Sequence, residues 1–153
     1  MESKLLGPFL KSYATCSLYG SYGRDHVQCD LKDLAPFPDE GFDLFEACCV
    51  FDFIPDFGEA IASVSRVLAR RSAVFVHYTD RRIVDGTSPP FVARYRSDWS
   101  ADYYPPGYQQ PIVHVGRQWF AGEWARHGFA MEQVAWCDPH AKRPLVWWMG
   151  TRG

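Results

Sequence analysis

No long apolar run, no paired-cysteine motif and no basic cluster occur in this sequence, and each absence removes a class of function. No stretch approaches the roughly 18 consecutive apolar residues that a membrane-spanning helix needs. The first residues also lack the apolar core of a signal peptide, so the expected location is the cytoplasm, with no membrane partner. Sixteen Lys and Arg stand against 18 Asp and Glu, a net charge of −2. The basic residues gather no further than Arg70–Arg71 and Arg81–Arg82, whereas a phosphate-binding surface needs a denser patch; nucleic acid is not an expected partner. Five cysteines (Cys16, Cys29, Cys48, Cys49, Cys137) form no CxxC pair, and an odd count without a secretion signal argues against a disulfide framework. Five histidines (His26, His77, His114, His127, His140) are scattered, so spacing shows no metal site.

What remains is enough apolar material for one domain: 153 residues, 47% hydrophobic and 16% aromatic. The chain is organised around residues 28–77, which predict strand, loop, strand, helix, strand, the order of a parallel α/β unit. Val27 to Leu31 is a short apolar run closing on Asp30, followed by a turn at Pro36, Pro38, Asp39, Glu40 and Gly41. Phe42 to Phe53 is almost unbroken apolar sequence and predicts a strand covered on both faces. Within it Cys48 and Cys49 read as small buried residues, with a metal or nucleophile role as the other reading. Asp56 is placed to cap a helix with Glu59 as its capping-box partner, and Ala60, Ile61, Val64, Val67 and Leu68 then recur at helical spacing. Ala73 to Tyr78 predicts the next buried strand, reached by a right-handed crossover.

Taken together, Asp30, Leu34, Pro36 to Asp39, Phe42 to Leu44, Val50, Ile54 to Asp56, Ala60 and Arg66 to Leu68 resemble the second half of a class I S-adenosylmethionine-dependent methyltransferase. The resemblance implies an incomplete Rossmann-like α/β fold, a mostly parallel sheet ending in a C-terminal antiparallel hairpin. It also implies S-adenosylmethionine as cofactor, retained or lost, with Asp30 and Leu31 facing the adenine and Cys48 and Cys49 near the cofactor at the fourth strand's end. Asp52, His77 and Tyr78 are then the nearest acid/base candidates, although Phe53 stands where the family often has His. Asp52 reads equally as a carboxylate capping the following loop.

Departures from the family pattern lie mostly upstream. Residues 1–26 read as a divergent lead-in, with a short helix near Leu5 to Leu10 and a strand at Tyr13 to Tyr19. The glycine-rich loop of the family is not found, and Gly20, Ser21, Gly23 and Asp25 predict a hairpin-like turn instead. If Tyr13 to Tyr19 is the family's second strand, the ribose-binding acid falls near Cys16 to Leu18, where no carboxylate stands. The chain therefore reads as an N-terminally truncated domain whose sheet has an exposed edge that a second copy or a partner protein must cover. Downstream of the helix, Ala69 to Ser72 replaces the family's glycine cap.

Residues 27–78 are thus the core unit and residues 79–115, rich in Pro, Tyr and Asp, an irregular loop or lid. In that segment Tyr95, Trp99, Tyr103, Tyr104 and Tyr108 are expected to pack over the core, with an aromatic substrate pocket as the alternative. Residues 116–153 predict a helix through Trp119, Phe120 and Trp124 ending at Gly128, then two antiparallel strands, Phe129 to Trp136 and Leu145 to Met149, with Trp147 and Trp148 in the core or at an interface.

Three functions fit. One is a methyltransferase-like protein without independent methyl transfer, acting as a homodimer or as a subunit of a partner enzyme. Another is a methyltransferase acting on a small molecule. The third is a repurposed enzyme of the same fold in small-molecule biosynthesis.

Overall fold

A computed structural model describes residues 14–18, 26–79, 82–97, 107–136 and 145–153. Two short strands, β1 (Thr15–Ser17) and β2 (His26–Gln28), open it and pair in parallel. Gly20 to Asp25, read as a hairpin-like turn, lie outside the described residues, as do Leu5 to Leu10. After β2 the chain turns where Asp30 Oδ1 accepts the Lys32 N–H at 2.9 Å.

The strand–helix–strand unit is present as expected. Strand β3 (Phe42–Cys48) leads through a single 3₁₀ turn (Phe51–Phe53) to helix α1 (Phe57–Val67), and β4 (Leu68–Tyr78) returns parallel to β3. Helix α1 buries Phe57, Ala60, Ile61, Val64 and Val67, one face at the predicted spacing. The loop after β2 is tied to this helix: Ser63 Oγ accepts the Leu34 N–H at 2.9 Å, and the Arg66 guanidinium donates to the carbonyl of Leu34 at 2.7 Å while pairing with Asp39.

Details differ, each for a local reason. The predicted strand Phe42 to Phe53 ends at Cys48 because Cys49 takes φ +55°, a left-handed backbone that no strand continues. Nor is β3 covered on both faces; Leu44 is 36% exposed and only Ala47 is buried. Asp56 occupies the N-cap of α1 but makes no capping bond, since its carboxylate is drawn to Lys32 Nζ at 3.0 Å. No turn replaces the missing glycine cap: Leu68, at φ −90° and ψ 133°, ends the helix and opens the strand in one residue.

The largest correction concerns residues 79–115. Here β5 (Ile83–Val84), β6 (Phe91–Arg96) and β7 (Gln110–Gly116) form a sheet in the order β5–β7–β6, with Ile112, Val113 and Val115 of β7 buried. Pro105 and Pro106 before β7 and Pro111 within it mask that pattern in the sequence. Tyr95 on β6 is 62% exposed and does not pack, Tyr108 is half-buried, and Trp99, Tyr103 and Tyr104 lie outside the described residues.

Helix α2 (Arg117–Arg126) ends at Gly128, whose φ of +86° fits the predicted left-handed cap. Strands β8 (Phe129–Trp136) and β9 (Leu145–Arg152) then pair antiparallel, and β9 inserts beside β4. The main sheet runs β3–β4–β9–β8. Counting the other two sheets, β1–β2, β3–β4 and β5–β7 are parallel while β4–β9, β8–β9 and β6–β7 are antiparallel, so the architecture is mixed rather than mostly parallel. One ring cluster joins the layers: Phe120 meets Phe51, Phe57, Tyr78, Trp124 and Trp148 at centroid separations of 5.3–6.5 Å. Among the described residues no helix is long and apolar enough to cross a membrane, and β3 is the end strand of its sheet.

Candidate functional site

Parallel strands bring their C-terminal ends to one side, where α/β sheets bind ligands. Here that side collects Ser17 at the end of β1, Asp30 and Leu31 after β2, Cys48 and Cys49 at the end of β3, and His77 near the end of β4. One cleft opens there and a second runs beside it along β3. One, about 330 Å³, is lined by Cys16, Asp30, Leu31, Cys49, Tyr108 and Gln110 among others. Its neighbour, about 380 Å³, is lined by Thr15, Phe42, Leu44, Phe45 and Cys48. Both touch Cys16 of β1 and Phe45 to Ala47 of β3, so they occupy the space between those two strands. The four residues expected at the cofactor are therefore divided, Asp30, Leu31 and Cys49 on the first cleft and Cys48 on the second.

The strongest chemistry lies at the end of β3. Register pairs Cys48 with His77 across the parallel ladder. Neighbouring strand residues normally point to opposite faces, but the left-handed backbone at Cys49 turns its side chain back toward the same imidazole. His77 Nδ1 lies 2.9 Å from Cys49 Sγ and 3.7 Å from Cys48 Sγ. The backbone closes the arrangement, since the Cys49 N–H donates to the His77 carbonyl at 3.0 Å. His77 is buried to 3% exposure, its ring 5.1 Å from that of Trp147. The Cys49 hydrogen bond, then that of His77, brings the Cys48 thiol down to about 5, whereas donation to Cys48 and burial push Cys49 up. At neutral pH the pair is one thiolate beside one thiol. The expected small buried cysteines are thus corrected: Cys48 is exposed and Cys49 half-buried.

The other two acid/base candidates are engaged structurally. Asp52, fully buried, accepts the Thr79 N–H at 3.1 Å and its hydroxyl at 2.6 Å, with Arg82 at 3.4 Å. This is the loop-capping arrangement, here closing the chain after β4. Tyr78, also fully buried, donates its hydroxyl to the Val113 carbonyl at 2.6 Å, and burial pushes its phenol up. Neither side chain lines either cleft.

Sequence reasoning missed Cys16 and Cys29, which face each other from β1 and beyond β2; burial pushes Cys16 up to about 12. It also missed Gln110, buried at the start of β7 and on the cleft wall. The signal for both was weak, because β1 is three residues long and β7 begins beside a proline.

The cleft suits half of a nucleoside cofactor. Leu31, Phe53 and Ile54 give an apolar floor for a flat ring, and Asp30 adds a carboxylate. At β1, however, Cys16, Ser17 and Leu18 bring a neutral thiol, a hydroxyl and an alkyl group, not the acid that ribose hydroxyls require. The fit is partial, and no methyl-transfer step follows from it.

Comparison with known proteins agrees with the architecture. A family model described as a methyltransferase domain matches residues 13–76. No curated protein matches the sequence. Among solved structures, an S-adenosylmethionine-dependent methyltransferase from Mesorhizobium loti is 15% identical, with TM-score 0.58 over 87% of this chain and 72% of that one. The Burkholderia thailandensis 1,6-didemethyltoxoflavin-N1-methyltransferase, which has S-adenosylhomocysteine bound, is 14% identical, with TM-score 0.55 over 83% of this chain but only 50% of its own. A methyltransferase of Haloferax volcanii, described as putative and in complex with the activator Trm112, is 12% identical, with TM-score 0.56 over 82% of this chain and 60% of that one. This chain thus spans half the length of the Burkholderia enzyme. The matched segment and the shared architecture make it a protein of class I S-adenosylmethionine-dependent methyltransferase-like fold.

Proposed function

We propose that this chain is a methyltransferase-fold subunit that transfers no methyl group by itself and works against a second chain, another copy or a partner enzyme, seated along β3. The observation that carries this reading is the state of β3. It is the end strand of its sheet among the described residues, yet it presents Leu44 at 36% exposure with Phe42 and Phe45 half-exposed beside it. An apolar end strand invites pairing. The exposed Asp43 and Glu46 on the same strand give such pairing a charge pattern to select by. Both clefts lie between β3 and β1, so the second chain would close over them beside β1. The Haloferax methyltransferase in complex with its activator supports the partner form of this reading. Free thiols at Cys16, Cys29, Cys48 and Cys49 support a reducing, cytoplasmic setting.

Isothermal titration with S-adenosylmethionine and S-adenosylhomocysteine, run beside sedimentation equilibrium, tests the reading. Expected are no heat from the monomeric chain up to millimolar cofactor and a self-association or partner association that Leu44→Glu abolishes. Micromolar cofactor binding by a monomer, lost in Asp30→Ala, would instead establish an independent methyltransferase site and overturn the proposal.

A further inference from the structure

The geometry at the end of β3 points to a binding site for a thiophilic divalent cation, Zn²⁺, held by Cys48 Sγ, Cys49 Sγ and His77 Nδ1. These three donor atoms lie within 4.8 Å of one another. On a tetrahedral zinc centre with ordinary bond lengths, a sulfur and a nitrogen ligand stand roughly 3.5 Å apart. Cys48 to His77 already measures 3.7 Å, and Cys49 to His77, at 2.9 Å, has only to open slightly. Two sulfurs and an imidazole are a soft donor set that selects zinc over magnesium or calcium.

The scaffold holds these donors on three counts. Cys48 and His77 are register partners in a parallel ladder, which fixes their separation. His77 is buried and packed against Trp147, which fixes its ring. Cys49 adopts φ +55°, a backbone that non-glycine residues rarely take, and this turn is what places two consecutive side chains on one imidazole. Cys48 is exposed and lines one cleft while Cys49 lines the other, so an ion has an entry path and a fourth position for water or a ligand. The site stands independently of whether the fold binds S-adenosylmethionine.

Cobalt(II) and zinc(II) alone serve as probes on the reduced, chelator-treated chain. Titration with cobalt is expected to give a thiolate-to-metal charge-transfer band saturating at one ion per chain, displaced by zinc. Cys48→Ser, Cys49→Ser and His77→Gln should each weaken binding by about a hundredfold or more, since even outer-shell losses cost tenfold to a hundredfold. A Cys16→Ser/Cys29→Ser/Cys137→Ser variant should keep the band. Cys48 is exposed, so Cys48→Ser is expected to fold, checked by far-ultraviolet circular dichroism. Zinc should raise the melting temperature of the parent chain and leave that of Cys48→Ser unmoved. No band up to millimolar metal, a band lost only with Cys16 and Cys29, or one ion per two chains would each overturn the assignment.

Discussion

The two flanks of β4 are built from the same apolar residues and end in opposite conditions. Toward β9, the strand lies under α1 and α2, and Phe51, Phe57, Phe120, Trp124 and Trp148 close into one ring cluster with almost no exposure. Toward β3, Leu44, Phe45 and Val50 face the clefts, and the ladder ends. The difference is not hydrophobicity but the presence of a second layer. Where a helix covers the sheet, an aromatic side chain becomes core; where only the short strand β1 and the loop after β2 stand opposite across a cleft, the same chemistry stays partly in water.

Cutting into the covered flank should have the largest effect. Phe120→Ala removes a ring from the middle of the cluster and is expected to cost about 3–5 kcal/mol in urea unfolding. If it cost no more than a surface change, the contrast between the flanks would collapse. Asp52→Ala comes next: it leaves the Thr79 donors and the mostly buried Arg82 without their carboxylate, a loss of about 2–3 kcal/mol by the same measurement. On the open flank, Leu44→Ala should change stability by less than about 1 kcal/mol because the side chain is already partly in water. Its effect belongs to association, seen by sedimentation.

The thiols sharpen the same contrast. Cys48, held near 5 by its hydrogen bonds from Cys49 and His77, is thiolate above that pH, so alkylation by iodoacetamide should be fast and level at neutral pH and decline as pH falls through about 5. Cys16, which burial pushes up to about 12, stays protonated across that range and should react only slowly. Mass spectrometry of peptides after brief labelling distinguishes the two, and equal labelling would sink the assigned difference. In His77→Gln the alkylation profile of Cys48 should move to higher pH.

Much of the fold was legible because its causes are local. The face of α1 follows from the spacing of Ala60, Ile61, Val64 and Val67, and the end of α2 from a glycine able to take positive φ. The β3–α1–β4 unit follows from strand and helix periods in the right order. By contrast, β7 was hidden by Pro105 and Pro106 before it and Pro111 within it, and its burial depends on a sheet that assembles around it.

The site divides along the same line. Asp30 and Leu31, which the family resemblance had set beside an adenine, line a cleft shortly after β2. Residues 28–29 apart, as the two cysteines are from His77, meet only once a parallel register has been chosen, and spacing along the chain carries no trace of that choice. The sequence by itself therefore determined the β3–α1–β4 unit, α2 and the final strand pair, through periodicity and turn residues that act within a few positions. Only the tertiary structure decided that Asp52 and Tyr78 are tied into the core, that β3 stands at an edge, and that two thiols share one imidazole. Those outcomes depend on which strands lie side by side, and that is settled by burial summed over the whole chain.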